Sequence, residues 1–184
     1  MLFRSWERTL VLDADYVVAS DQLKVLLEAD QDFLAPNYAY DVVGLNDFTG
    51  LNSFGNHSMP MSWATVMMFR RSKQAELIFG TMNMIRDHWN HYRALYANNV
   101  PTYRNDHALS IALNLVSGHT LSSPAVPWGL ASLVPEHTLT QLGEDHYRID
   151  YTNTENKRRW ITLKNQDFHA MGKKQLGEIV ANNS

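Results

Sequence analysis

The sequence predicts an α/β fold. Short apolar runs of strand length are interspersed with stretches of helical period, and charge collects at the C-terminal ends of the apolar runs. Open α/β sheets hold their ligands outside such strand ends. Two alternating segments around a polar turn add a β-hairpin in the last third of the chain. At 184 residues the expectation is one domain spanning 1–184. A chain of this length buries roughly 70% of its unfolded surface. Apolar residues make up 45% and charged residues 19%, a globular rather than a disordered balance. The net charge of −3 gives no general attraction to nucleic acid or an anionic membrane. With no cysteine, disulfides, thiolate metal sites and cysteine nucleophiles are excluded. No run approaches the roughly 20 apolar residues of a membrane span. The first eight residues carry charge where a signal peptide needs its apolar stretch. A cytoplasmic protein is expected.

Thr9 to Leu12 reads as a buried strand ending at Asp13-Ala-Asp15. Ser20 is a helix-cap candidate, with Leu23, Leu26 and Leu27 as the apolar face that follows. Asp32 to Ala35 is a second short strand, stopped by Pro36. Asp41 to Pro60 holds Gly44, Gly50 and Gly55 and shows no period, which marks a functional loop or a hidden element. Met61 to Phe69 reads as a central strand. Ser72 can cap a helix running to about Tyr96, because Ile78, Met82, Ile85, Trp89, Tyr92 and Tyr96 fall on one face. Asn105 to Val116 is another helix. Ser122 to Gly129 is a loop by its prolines and glycine. His146–Tyr151 and Arg158–Leu163 form the hairpin.

Asp13 and Asp15 are the sharpest chemical feature. Two carboxylates at a strand end, two residues apart, can share a hard divalent cation that also takes phosphate oxygens. One carboxylate could instead attack phosphorus while the other moves a proton, and solvated loop acids are the plain reading. His169, between Phe168 and Ala170, reads alone as a half-buried imidazole. Asp106 opens a helix, where a carboxylate interacts well with the backbone dipoles. His57, His88, His91 and His119 are scattered, and a solvated face accounts for the pair three apart.

Four segments carry a resemblance to a known family. They are Leu12-Asp-Ala-Asp15, Ser62-Trp-Ala-Thr-Val-Met-Met-Phe69, Arg104-Asn-Asp-His-Ala-Leu109 and Phe168-His-Ala-Met-Gly-Lys-Lys174. In this order they resemble the nucleotide-sugar glycosyltransferases of the GT-A fold, in particular the glycogenin-like family 8. The chain is also similar, over most of its length, to glycosyltransferase-like proteins of marine tailed phages, which would act in the host-cell cytoplasm. The resemblance implies a partial GT-A fold with a mixed sheet and flanking helices. It implies a Mn²⁺ (or Mg²⁺) site made by Asp13, Asp15 and His169. It implies that Gly172, Lys173 and Lys174 meet the diphosphate and that Asp106 serves catalysis at the sugar. The partners implied are a nucleoside diphosphate sugar and an unknown acceptor. The family's Asn-x-Gly is replaced around Trp63 and Ala64, and its glutamine by His107. Its base- and ribose-binding units precede Asp-x-Asp, whereas twelve residues precede Asp13 here. The expectation is therefore a catalytic and acceptor half, binding nucleoside diphosphates weakly and prone to self-association along a bare sheet edge.

Leu10-Val-Leu-Asp-Ala-Asp-Tyr-Val-Val18 also resembles the first motif of haloacid-dehalogenase-type phosphatases, with Asp13 as nucleophile and Asp15 as acid/base. Glu144, Asp145 and Asp150 would then supply the later acidic motif, although Thr138 to Gly143 is a poor buried strand. A non-catalytic binding or assembly module is the third reading.

Overall fold

The computed structural model describes residues 7–97, 100–120 and 125–182. Its strands and helices form a mixed α/β structure with several small sheets. In chain order the first half holds β1 (Arg8–Leu12), β2 (Tyr16–Val17), α1 (Lys24–Glu28), β3 (Phe33–Leu34) and β4 (Ala39–Asp41). A short hairpin of β5 (Ser53–Phe54) and β6 (Met59–Pro60) follows, then β7 (Val66–Arg70), α2 (Lys73–Asp87) and α3 (Trp89–Tyr96). The second half holds α4 (Asn105–Val116), β8 (Leu130–Leu133), β9 (Thr138–Gly143), β10 (His146–Thr152), β11 (Arg158–Lys164), β12 (Phe168–Ala170) and α5 (Lys173–Asn182).

Three sheets matter for the site. In the first, β7 lies between β1 and β3 and is antiparallel to both. The second runs β2-β12-β8-β4, with β12 antiparallel to β2 and parallel to β8. The third is the antiparallel meander β9-β10-β11. The second sheet is a partition, because side chains alternate along each strand. Tyr16, Ala39 and Leu130 enter one core with Trp63, Met68 and Ile111. Val17, Ala131 and Phe168 enter the other with Tyr147, Ile149 and Leu163.

Several sequence expectations are met. α4 has the predicted bounds, and the Ser72 side chain caps α2 by accepting from the Ala75 N–H at 3.2 Å. Others need correction. The strand expected from Met61 starts only at Val66, because the intervening amides have other partners. Met61 N–H donates to Asn52, Ser62 to the Ser110 hydroxyl, Trp63 to Pro36 and Ala64 to Asp106. The helix expected to Tyr96 breaks at His88, whose φ of −119° and ψ of 35° lie outside the helical region. Ser20 does not cap α1. It accepts from the Gln22 N–H in a tight turn, and α1 begins at Lys24 without a side-chain cap. The expected loop at Ser122–Gly129 lies partly outside the described residues. The start of the aperiodic stretch 41–60 is ordered by Asp41, whose carboxylate accepts from the backbone of Val43, Leu45 and Asn46 and from the Asn46 amide. Its later part is ordered by Asn52, bonded to Ala39, and by the β5–β6 pairing.

Gly55 sits at φ 71°, and a Cβ there would run into the carbonyl oxygen of Tyr96. Gly55→Ala is expected to cost about 2–5 kcal/mol, from left-handed strain and displacement of that carbonyl together. Chemical denaturation would show the midpoint fall.

Candidate metal centre

Asp13 lies where β1 stops. Its N–H still donates to the Thr65 carbonyl at 2.9 Å, extending the β1–β7 ladder by one bond, and its carbonyl accepts from Tyr16 N–H at 3.1 Å. That turn over residues 13–16 passes the chain from the first sheet into the second. It places Asp13 in solvent and Asp15 inside, with Asp15 only 7% exposed.

β12 brings the third group. His169 pairs with Tyr16, and Ala170 N–H donates to the Asp15 carbonyl at 2.8 Å. Phe168 and Ala170 point into the second core, so His169 points the other way, toward the aspartates. Its Nε2 lies 3.4 Å from Asp15 Oδ1. Ligand atoms of Asp13, Asp15 and His169 all fall within 4.8 Å of one another. Among the described residues this is the one cluster of three or more such groups.

The electrostatics fit a cation. Partial burial pushes the Asp13 carboxyl above its ordinary pKa, and the nearby carboxylates of Asp15 and Asp106 push it further. A hydrogen bond involving the Thr65 side chain and the charge on His169 oppose this only in part. Carboxylates brought this close to one another are an arrangement that a divalent ion relieves. The pairing of β12 with β2 and β8 holds the backbone that carries the His169 ring. The donor set, two carboxylate oxygens and an imidazole, can hold a divalent cation.

The other expected residues divide. Asp106 is close enough to act on Asp13 but is occupied in positioning. One oxygen accepts from Ala64 N–H at 2.8 Å, and the other takes the Arg104 guanidinium at 2.9 Å. It thereby ties α4 to the loop that precedes Thr65. Gly172 lies between β12 and α5, and Lys173 and Lys174 open α5. The side chains of these two lysines lie outside the described part of the structure. Of the later acids in the phosphatase reading, Glu144 and Asp145 lie in the turn between β9 and β10. Asp150 holds Arg148 on the outer sheet.

Sequence reading missed the residues behind the site. Thr65 reaches Asp13 from the loop. Asp167, 2% exposed, accepts from Ala19 N–H at 2.8 Å and from the Tyr16 hydroxyl at 3.3 Å. Burial, and next the Asp167 charge, push the Tyr16 hydroxyl well above its ordinary pKa, which keeps it a donor. The one available signal was the position of Asp167, two residues before His169.

Comparison of the chain with protein-family models, with curated proteins and with solved structures gives no match. Among the described residues, no helix is long and apolar enough to cross a membrane.

Proposed function

We propose that the chain is the catalytic part of a metal-dependent transferase that moves a sugar from a nucleoside diphosphate sugar to an acceptor. Asp13, Asp15 and His169 hold the metal in this reading. One observation carries it: an Asp-x-Asp turn meets a histidine 154 residues further along the chain. When bound, Mn²⁺ or Mg²⁺ neutralises charge that develops on a leaving diphosphate.

The chain's own groups then have distinct tasks. Asp15 is buried and fixed through its backbone to β12, so it anchors. Asp13 is exposed, so it is the ligand that a donor can reach from solvent. Lys173, Lys174 and the first N–H groups of α5 follow His169 closely in sequence and favour an anion. Asp106 holds the loop that carries Thr65, which bonds Asp13, and so steadies that ligand. β1 forms an outer strand of its sheet with Val11 exposed, which supports the expectation of self-association.

Thermal melts with and without Mn²⁺ test the reading. At a concentration of 100 times Kd, binding stabilises by about 2.7 kcal/mol, or roughly 5–10 °C for a chain this size. Asp15→Ala should show no shift. Equal shifts in both proteins would rule the site out. In the same melts, UDP and GDP should add a further shift only when Mn²⁺ is present. Steady hydrolysis of an aryl phosphate that vanishes in Asp13→Asn would favour the phosphatase chemistry instead.

A further inference from the structure

We propose that the outer face of the β9-β10-β11 sheet is a holding surface for an anionic polysaccharide. Residues paired across an antiparallel sheet present their side chains to the same face. The register therefore sets Thr140, Arg148 and Thr162 in one row and places Asp150 beside Trp160 in the next. Leu139, Ile149 and Leu163 alternate with these and are buried in the second core, so the opposite face looks to solvent. Trp160 is 59% exposed, more than any other large apolar residue described. It is nonetheless held. The Arg148 guanidinium lies 5.3 Å from the centre of its ring and is itself fixed by Asp150 at 2.9 Å.

The chemistry of the face selects the occupant. An indole offers the C–H side of a sugar ring an apolar surface. A paired carboxylate and guanidinium, flanked by threonine hydroxyls, give acceptors and donors for sugar hydroxyls. The charge selects an acidic glycan. On the Trp160 face Arg148 is matched by Asp150, and Arg158 and Lys164 add two further positive charges. Arg158 and Lys164 share the Trp160 face at the two ends of β11, about 20 Å apart at strand rise. Together they can pair with acidic groups on sugars several rings apart in one chain, while a ring between them rests on Trp160. The Asp150–Arg148 pair and the threonines match the hydroxyls that a sugar ring presents and single-stranded DNA largely lacks, and an acidic peptide has no use for the indole.

This surface is separate from the metal centre. Phe168 packs edge-on against Tyr147 at 5.3 Å on the meander side, whereas His169 faces the other way. Binding here needs no metal, so it can fail or succeed independently of the transferase reading.

Affinity electrophoresis in EDTA, through gels containing polygalacturonate, dextran, poly(dT) or polyglutamate, tests it. Polygalacturonate should retard the protein most. Trp160→Ala should weaken that retardation about tenfold, the size of one lost stacking contact. The double variant Arg158→Glu, Lys164→Glu should lose it altogether, and melting curves should be unchanged because all three positions are exposed. Absence of retardation by polygalacturonate overturns the proposal. So does retardation indifferent to Trp160, or retardation by poly(dT) or polyglutamate as strong as by polygalacturonate.

Discussion

Phe168→Ala is expected to lower stability by about 3–5 kcal/mol, the usual range for emptying a fully buried phenylalanine site. Phe168 is 0% exposed and lies in the second core beside Tyr147. For a chain of this length that corresponds to a fall of roughly 6–20 °C in Tm. A second effect separates it from an ordinary core deletion. Phe168 adjoins His169 on β12, and the strand's hold on Val17 is what places the imidazole against Asp15. The cavity loosens the ligand strand itself. Ile149→Ala is the control, since Ile149 is equally buried in the same core but sits on β10. Both variants should melt early by differential scanning fluorimetry. At a temperature where both remain folded, calorimetric titration with Mn²⁺ should show weaker binding in Phe168→Ala alone. Equal affinities would mean that β12 does not position the histidine.

Asp13→Asn is expected to act in opposite directions on the free and the metal-loaded protein. The Asp13 pKa is raised in the folded state by burial and by Asp15 and Asp106. The folded protein therefore holds this proton more tightly than the unfolded chain does, and ionising Asp13 opposes folding. That penalty is absent below the unfolded carboxylate range. It grows as pH rises and is complete above the raised folded value. Without metal, Asp13→Asn should melt above wild type at pH 7, and the two curves should converge as pH falls through the carboxylate range. With Mn²⁺ at 100 times Kd, wild type should gain about 2.7 kcal/mol and the variant little. Because protons compete with metal for Asp13, the wild-type gain should also shrink on acidification. A variant that melts below wild type in EDTA at pH 7 would show that the crowded carboxylates are not strained.

Of the candidate ligands, Asp13 and Asp15 were legible because a β-rich run stops at Asp13. His169 has no such local signal, since its place beside Asp15 depends on the pairing of β12 with β2. α4 was legible because eight successive residues from His107 to Asn114 are buried, with Ala108, Ile111, Ala112 and Leu115 at helical spacing. The break at His88 was not, because Trp89, Tyr92 and Tyr96 continue the apolar steps across it. Strand β2 has only two residues, too few to show any period. The task of Asp106 was hidden for a different reason. Its partner is the backbone N–H of Ala64, and nearly every residue type has one. β9 alternates exposed and buried residues on an outer sheet, so a search for a uniformly apolar strand undervalues it.

The position of β12 governs the order in which the molecule can assemble. It is an inner strand of its sheet, yet it is delivered 151 residues after the segment it must join, as the bond between Tyr16 and Asp167 measures. On a chain growing from the ribosome at about 5–20 residues per second, Tyr16 and Val17 wait many seconds for their neighbour. During that interval β8 also lacks a partner on one side. The contact is as non-local as this chain allows, so loop-closure entropy delays it until the intervening segments have compacted. The wait leaves nascent chains open to mispairing at that gap, and Asp15 gains its histidine only at the closing step.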